Sequence, residues 1–363
     1  MQSVQKPLFG LYLHWPYCLS KCPYCDFFSH PCSTPNEDIL LAGYLRDLKQ
    51  MTSLTDNRTL TSIFFGGGTP SLMSPAFLEK IMNAVSDTFH FDKNIEITME
   101  ANPDAITQDK MKSFADLGIN RLSIGVQALN DTDLHFLGRR HSVKTALERI
   151  EQAKKFFARI NMDLIYARPN QTPSQWETEL KTALSLGLNH YSLYQLTIEE
   201  NTVFGQKNIT SADEKCSEQL YRLTDNIMAD VGIPSYEVSN YAKSGEESRH
   251  NLTYWMGGDY IGIGPAAHGR LGLIATESPK SVDKWLKQGI SLEQLTPTER
   301  FEERVLMGLR LTHTYFSTEG LSPDGIQKAL QLGWITLSSD ALMIMPTLEG
   351  TLMLNELIVM VLP

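Results

Sequence analysis

From Phe9 to Leu196, short β-branched or aromatic runs alternate with longer segments whose apolar positions recur at helical spacing. That is the pattern of βα units laid around a parallel sheet. It predicts strands near Phe9–His14, Leu60–Phe65, Ile95–Glu100, Arg121–Val126, Asn161–Ile165 and Tyr191–Leu196, with helices such as Glu37–Leu54 and Pro75–Phe89 after them. Six such units make an α/β fold, an open and partial (β/α)6 barrel of the TIM type. The residues that could carry chemistry follow the strands: a cysteine loop after the first, Gly66-Gly67-Gly68-Thr69-Pro70 after the second, Glu100 ending the third, Gln127 after the fourth and Asp163 within the fifth. In barrels the functional face is the C-terminal rim of the strands, so these candidates should converge.

After Leu292 the pattern changes. Pro297–Leu311 and Leu321–Leu332 read as amphipathic helices, Trp334–Pro346 as a short hairpin, and Leu357–Leu362 as the apolar end of a last helix. The expected organisation is a barrel over residues 1–230, a connecting segment over 231–291 and a small winged-helix-like domain over 292–363. A chain of 363 residues, 42% hydrophobic and 20% charged, can bury a sizeable core. The formal net charge of -10 argues against a nucleic acid held by its phosphates, and Glu299, Glu302 and Glu303 on the first C-terminal helix add to that. Five cysteines are too few for a disulfide framework and fit a reducing compartment. No basic-then-apolar leader precedes the run Leu8–Trp15, and no stretch is long enough to span a membrane. A soluble, cytoplasmic protein is expected.

The cysteine loop reads Cys18-Leu19-Ser20-Lys21-Cys22-Pro23-Tyr24-Cys25. Three close thiols could hold zinc together with His14 or His30, or could be plain reduced thiols. Zinc ligands usually come as two separated pairs, whereas here one tight loop stands alone and Cys32 and Cys216 are isolated. The spacing favours an iron–sulfur cluster. A cubane normally takes four cysteines, so three would leave one iron open to a further ligand.

This loop resembles the Cys-x3-Cys-x-aromatic-Cys signature of the radical SAM superfamily, with Tyr24 as the aromatic. The resemblance implies a 4Fe-4S cluster on Cys18, Cys22 and Cys25 whose open iron is chelated by S-adenosylmethionine (SAM), and cleavage of SAM to a 5′-deoxyadenosyl radical. A narrower resemblance follows from Tyr12 through Cys18, Gly66 through Pro70, Glu100 through Pro103, Ser123 through Gln127 and Asp163 through Tyr166. In that order they are similar to the oxygen-independent coproporphyrinogen oxidase-like family, which implies SAM contacts from Tyr12, Tyr24, Gly67, Gly68, Thr69, Glu100, Gln127, Arg139 and Asp163. One departure is Ala167-Arg168-Pro169, where many members have Gly-Leu-Pro.

Two functions compete within that family: the haem-biosynthetic dehydrogenase, which decarboxylates coproporphyrinogen III, and a haem chaperone branch that binds haem and delivers it to respiratory proteins. The dehydrogenase carries a further cysteine two residues after the third, where this chain has Phe27, and an N-terminal extension for which there is little room before Cys18. The run His250-Asn251-Leu252-Thr253-Tyr254-Trp255 matches the His-Asn-x-x-Tyr-Trp motif of the chaperone branch. It implies haem contacts: an imidazole for iron from His250 and flat apolar faces from Tyr254 and Trp255. The competing reading is a packed histidine beside buried aromatics. His268 is a second histidine candidate, while His14, His141 and His313 read as structural. The expected partners are haem, haem-accepting respiratory proteins and an electron donor such as a flavodoxin or ferredoxin, with no nucleic acid; peripheral membrane contact and a homodimer stay open. A radical SAM enzyme acting on RNA or protein is a further alternative, for which an added basic module or more cluster cysteines would be expected.

Overall fold

The computed structural model describes residues 8–55 and 57–363. All six expected strands are present, as β1 (Phe9–Trp15), β2 (Thr59–Gly67), β3 (His90–Ala101), β4 (Arg121–Gln127), β5 (Arg159–Tyr166) and β6 (His190–Gln195). They pair in sequence order, each parallel to the next. The helices between them start where the sequence supplies a cap. Asn36 accepts the Ile39 N–H at the head of Glu37–Thr52, and Ser74 accepts the Phe77 N–H ahead of Pro75–Thr88.

Alternation along each strand divides the barrel into two environments. One set of positions, including Leu11 and Leu13, Ile63 and Phe65, Ile97 and Met99, Leu122 and Ile124, and Met162 and Leu164, is buried in the main hydrophobic core with the helices. The other set carries Glu100 on β3, Arg121 and Ser123 on β4, Asn161 and Asp163 on β5, and Ser192 and Tyr194 on β6, all of which line one cavity. The inside of the barrel is polar and its outside apolar.

The segment 231–291, expected only to connect, supplies four more strands to the same sheet. These are β7 (Asn240–Ala242), β8 (Asp259–Ile263), β9 (His268–Leu271) and β10 (Ile274–Glu277), followed by β11 (Ser291–Gln294). The sheet runs β11-β10-β9-β8-β1-β2-β3-β4-β5-β6-β7, with β8 parallel to β1 and the flanking strands antiparallel. Its ends, β11 and β7, are not paired, so the barrel is open.

The C-terminal part has its own core, which includes Val305, Leu309, Ile335, Ile344, Leu357 and Val361. Its helices Pro297–Gly308, Pro323–Gln331 and Leu354–Val361 and the hairpin Ile335–Leu337 with Met343–Pro346 follow the expected order. The sequence missed the two-residue strand Phe316–Ser317, which adds a third strand to that hairpin. Among the described residues no helix is long and apolar enough to cross a membrane.

Candidate functional site

The cysteine loop leaves the end of β1 and is closed at its base. Tyr17–Cys18 pairs with His30–Pro31, and the Cys32 N–H donates to the Cys18 carbonyl at 2.9 Å. Inside the loop the Cys25 N–H donates to the Cys22 carbonyl at 3.1 Å and Lys21 reaches the Phe27 carbonyl at 2.9 Å. Cys18 is buried and Cys22 and Cys25 are half-buried, and all three line one cavity of about 380 Å³. Burial pushes the Cys18 thiol up, and the Cys25 thiol up to about 11. Among the described residues no three His, Cys, Asp or Glu side chains converge on a single metal ion. His14, one of the two imidazoles considered for zinc, has both ring nitrogens engaged, by Tyr12 Oη at 3.0 Å and the Phe28 carbonyl at 2.8 Å.

The glycine turn lies against the base of the loop: the Gly68 N–H donates to the Trp15 carbonyl at 2.7 Å and the Thr69 N–H to the Tyr17 carbonyl at 2.8 Å. Gly67 has φ +110°, open to glycine, and a Cβ on Gly68 would fall 2.4 Å from the Tyr17 carbonyl oxygen. The Gly67 N–H donates to Glu100 at 3.2 Å, which ties the turn to the end of β3. From Thr69 a chain runs across the cavity: Asn102 donates to Thr69 Oγ1 at 3.0 Å and accepts from Arg139 Nη2 at 2.7 Å. The same Arg139 donates to the Gly125 carbonyl at 2.8 Å and lies 3.5 Å from Cys22 Sγ. Arg139 is therefore no ordinary surface charge. Tyr24 lies against Phe204 with its hydroxyl pushed up by burial, while nearby Arg139 opposes that shift.

Glu100 on β3 and Asp163 on β5 flank β4 and line the same cavity. Burial, reinforced by the charge of Asp163, pushes the Glu100 carboxyl up to about 8. Burial likewise raises Asp163 to about 6, against hydrogen bonds that favour its charge, among them Asn161 at 2.6 Å and Ser123 at 3.2 Å. Gln127 ends β4 at φ +74° beside a shift in register, so a non-glycine residue is held in the left-handed region at the rim. Tyr12 lines a smaller neighbouring cavity of about 220 Å³ together with Gly67, Glu100 and Phe27.

Tyr24, Gly67, Gly68, Thr69, Glu100, Gln127, Arg139 and Asp163 thus meet the three cysteines in one cavity, with Tyr12 adjoining. His250, Tyr254 and Trp255 do not. They lie on the helix Arg249–Trp255, where His250 is 1% exposed. Its Nδ1 meets Ser62 Oγ at 2.9 Å and its Nε2 meets Tyr254 Oη at 2.7 Å. With both nitrogens engaged, the imidazole offers none to an iron in this arrangement. Tyr254 packs edge-on against Tyr260 at 4.3 Å, and His268 is exposed on β9. The motif residue that does line the cavity is Asn251. Sequence reasoning also passed over Asn102, Arg121 and Ser123, although Arg121 and Ser123 share the parity of Gln127 along β4, which was the available signal.

The departure at Ala167-Arg168-Pro169 has a local account. Ala167 takes φ +57°, a conformation suited to glycine, and Arg168 turns inward to pair with Glu179 and, at 2.9 Å, with Asp133.

The Radical SAM superfamily is matched over residues 12–183. The chain is 34% identical to heme chaperone HemW of Escherichia coli (strain K12) over 98% of each chain. It is 35% identical to HemW of Haemophilus influenzae over 97% of each. The chain belongs to the HemW family of radical SAM proteins. A mitochondrial radical S-adenosyl methionine domain-containing protein 1 from Bos taurus is 35% identical over 85% of this chain and 75% of its own length. The solved coproporphyrinogen III oxidase HemN of Escherichia coli superposes with a TM-score of 0.82 at 20% identity, covering 98% of this chain and 90% of that one, and so shares the fold.

Membership in the radical SAM superfamily implies a 4Fe-4S cluster and SAM. The donor set of this HemW-family chain fits both. A cubane takes one thiolate per iron, and all three thiols line the same cavity. Glycine backbone, buried carboxyls and a partnered arginine around the same cavity suit a ligand that carries an amine, a carboxylate and a ribose.

Proposed function

We propose that the protein is a haem chaperone that binds haem and, through a 4Fe-4S cluster and SAM held in the main cavity, supports haem delivery to respiratory haem proteins. The observation that carries this reading is the near full-length similarity to proteins named heme chaperone, against a likeness to the coproporphyrinogen oxidase that extends to the fold alone. Phe27 supports it from inside the site. The side chain in the place of the dehydrogenase's extra cysteine is 59% exposed at the mouth of the cavity and brings no fourth thiol.

In this reading Cys18, Cys22 and Cys25 hold the cluster, and the cluster supplies one-electron reduction of SAM when both are bound. The chain's own residues do the positioning. Glu100, anchored by the Gly67 N–H, receives the ligand's ammonium and gives up its proton as that cation arrives. Arg139 is fixed by Asn102 and the Gly125 carbonyl, leaving its remaining donors for a carboxylate. Asp163, held by Ser123 and Asn161, accepts from the ribose, while Gln127, Thr69, Gly68, Tyr12 and Tyr24 complete the enclosure.

Haem itself would be held away from the nitrogens of His250, which serve the packing of the Arg249–Trp255 helix. An electron donor of the flavodoxin or ferredoxin type, haem-accepting partners and a cytoplasmic setting belong to the same proposal. Its test has two arms run on the anaerobically reconstituted protein. Haem titration should give a saturable absorption change. Incubation with coproporphyrinogen III, SAM and a reductant should leave the substrate unchanged; decarboxylation at catalytic turnover would overturn the reading in favour of the dehydrogenase.

A further inference from the structure

Behind the wall of the main cavity a chain of hydrogen bonds joins four separate segments of the fold. It starts at Asp163 on β5, whose Oδ1 lies 2.6 Å from Asn161 Nδ2. Asn161 Oδ1 lies 2.6 Å from His190 Nδ1 at the start of β6, and His190 Nε2 lies 2.9 Å from the Tyr236 hydroxyl. The Ser248 N–H, at the cap of the Arg249–Trp255 helix, donates to that hydroxyl at 3.3 Å. Asn161 lines the cavity, and His190 stands behind it, 3% exposed.

Donor and acceptor accounting gives each link a direction. Ser123 donates to Asp163, so its oxygen accepts from Asn161 at 2.7 Å, and an ionised Asp163 only accepts. The Asn161 amide therefore turns its NH2 toward these oxygens, and toward Ser192 Oγ at 2.8 Å, which leaves its carbonyl for His190. His190 then carries its proton on Nδ1, and its bare Nε2 accepts from the Tyr236 hydroxyl. Burial, helped by the charges of Arg121 and Arg159, pushes the imidazole well below its ordinary pKa and keeps it neutral. Burial likewise keeps the Tyr236 hydroxyl protonated.

We propose that His190 is a positioning residue for the ligand of the main cavity: through Asn161 it fixes the donors that hold the Asp163 carboxylate aimed at that ligand's hydroxyls. It touches no ligand itself. The two ends of an amide have nearly the same shape, so packing does not decide which one faces Asp163, whereas a donor at Asn161 Oδ1 does. With the amide reversed, its oxygen would stand against the carboxylate, and Asp163 would exchange a hydrogen bond for a repulsion. Arg121 and Glu100 also act on the charge of Asp163, and the amide sets where its hydrogen bonds come from. At the far end of the chain the Ser248 hydroxyl donates to Glu96 at 3.3 Å, so the helix carrying His250 and Asn251 is tied to the same network. This inference rests on the SAM reading given above, in which Asp163 receives the ribose.

The test begins with the native chain. Nitrogen NMR of the full-length, histidine-labelled protein with its cluster oxidised should show His190, identified by its through-space contacts to Tyr236, as a neutral Nδ1–H imidazole near neutral pH. An Nε2–H tautomer or an imidazolium would overturn the proposal, whether or not any variant folds. Two substitutions then separate positioning from packing, because an asparagine amide overlays histidine Nδ1 and a glutamine amide overlays Nε2. His190→Asn keeps the donor to Asn161 and should hold the SAM affinity of the reconstituted protein within about twofold; His190→Gln loses it and should weaken SAM roughly tenfold, the loss of one hydrogen bond to a charged group. Both remove the ring, so a purely structural role predicts equal affinities, and equal affinities in the two variants would overturn this inference alone. A native chain that binds no SAM would overturn both this inference and the function proposed above.

Discussion

The cysteine loop and the Arg249–Trp255 helix were both singled out by motifs, yet their polar groups stand in opposite states. At the rim, thiols, a raised carboxyl and an arginine face a common cavity, held from behind by Asn102, Gly67 and Ser123. On the helix, the imidazole of His250 is closed off by Ser62 and Tyr254, and its backbone N–H by Glu96. A motif says which residues a fold keeps; the hydrogen-bond accounting says whether they are kept for a ligand or for one another.

The strongest way to break this contrast is at the cysteines. Replacing Cys18, Cys22 or Cys25 with Ala should abolish the broad iron–sulfur absorption after anaerobic reconstitution, while Cys32→Ala and Cys216→Ala should leave it intact. Cys216 already has a distant engagement, with its thiol 3.5 Å from the Gln171 carbonyl. A cluster lost in the Cys32 variant would show that the loop alone is not the ligand set.

Next in size is SAM affinity. Arg139→Ala removes a cation that also fixes Asn102, and the loss of a charged hydrogen bond is worth roughly 1.5–3 kcal/mol, or about ten- to a hundredfold in Kd. Equilibrium binding to the reconstituted protein reads it directly, and unchanged affinity would return Arg139 to a structural role. His250→Ala should do the reverse. Emptying a buried site and leaving Ser62 and Tyr254 without their partner should cost about 2–4 kcal/mol of stability, seen in urea unfolding. The haem absorption spectrum should keep its form. A spectrum that loses its axial signature, with stability untouched, would make His250 the iron ligand after all.

Legibility in the sequence followed the strength of local signals. The six strands were readable because each is a short apolar or β-branched run between helical stretches, and the rim residues because they end those strands. Strands β8 to β11 were not, since Asp259–Ile263 and Ser291–Gln294 are glycine-bearing or polar runs whose place is set by pairing with β1 and with each other. Lumen residues such as Arg121 were hidden for a different reason. An arginine opening a strand looks solvated until closure of the sheet turns its face inward. His250 shows the converse, a residue found by motif whose partners, Ser62 and Glu96, lie far away in sequence on β2 and β3.

The smallest expected effect is also the one that tests the rim's electrostatics most directly. Glu100 holds its proton up to about pH 8 because it is buried beside Asp163, so a ligand that brings an ammonium must displace that proton. Between about pH 6 and 7.5 the SAM affinity of the reconstituted protein should therefore rise with pH, by up to about tenfold per unit, the limit for release of one proton. Glu100→Gln should flatten that slope, leaving only the fall near pH 6 where Asp163 takes up its own proton. The sign for stability is opposite. The folded, ligand-free protein keeps a proton on Glu100 that the unfolded chain, with an ordinary carboxyl, has already released, so stability falls as pH rises toward about 8. SAM affinity that is flat across this window in the native chain, or a slope that survives in Glu100→Gln, would show that the carboxyl facing the glycine turn is not the group that meets the ligand's charge.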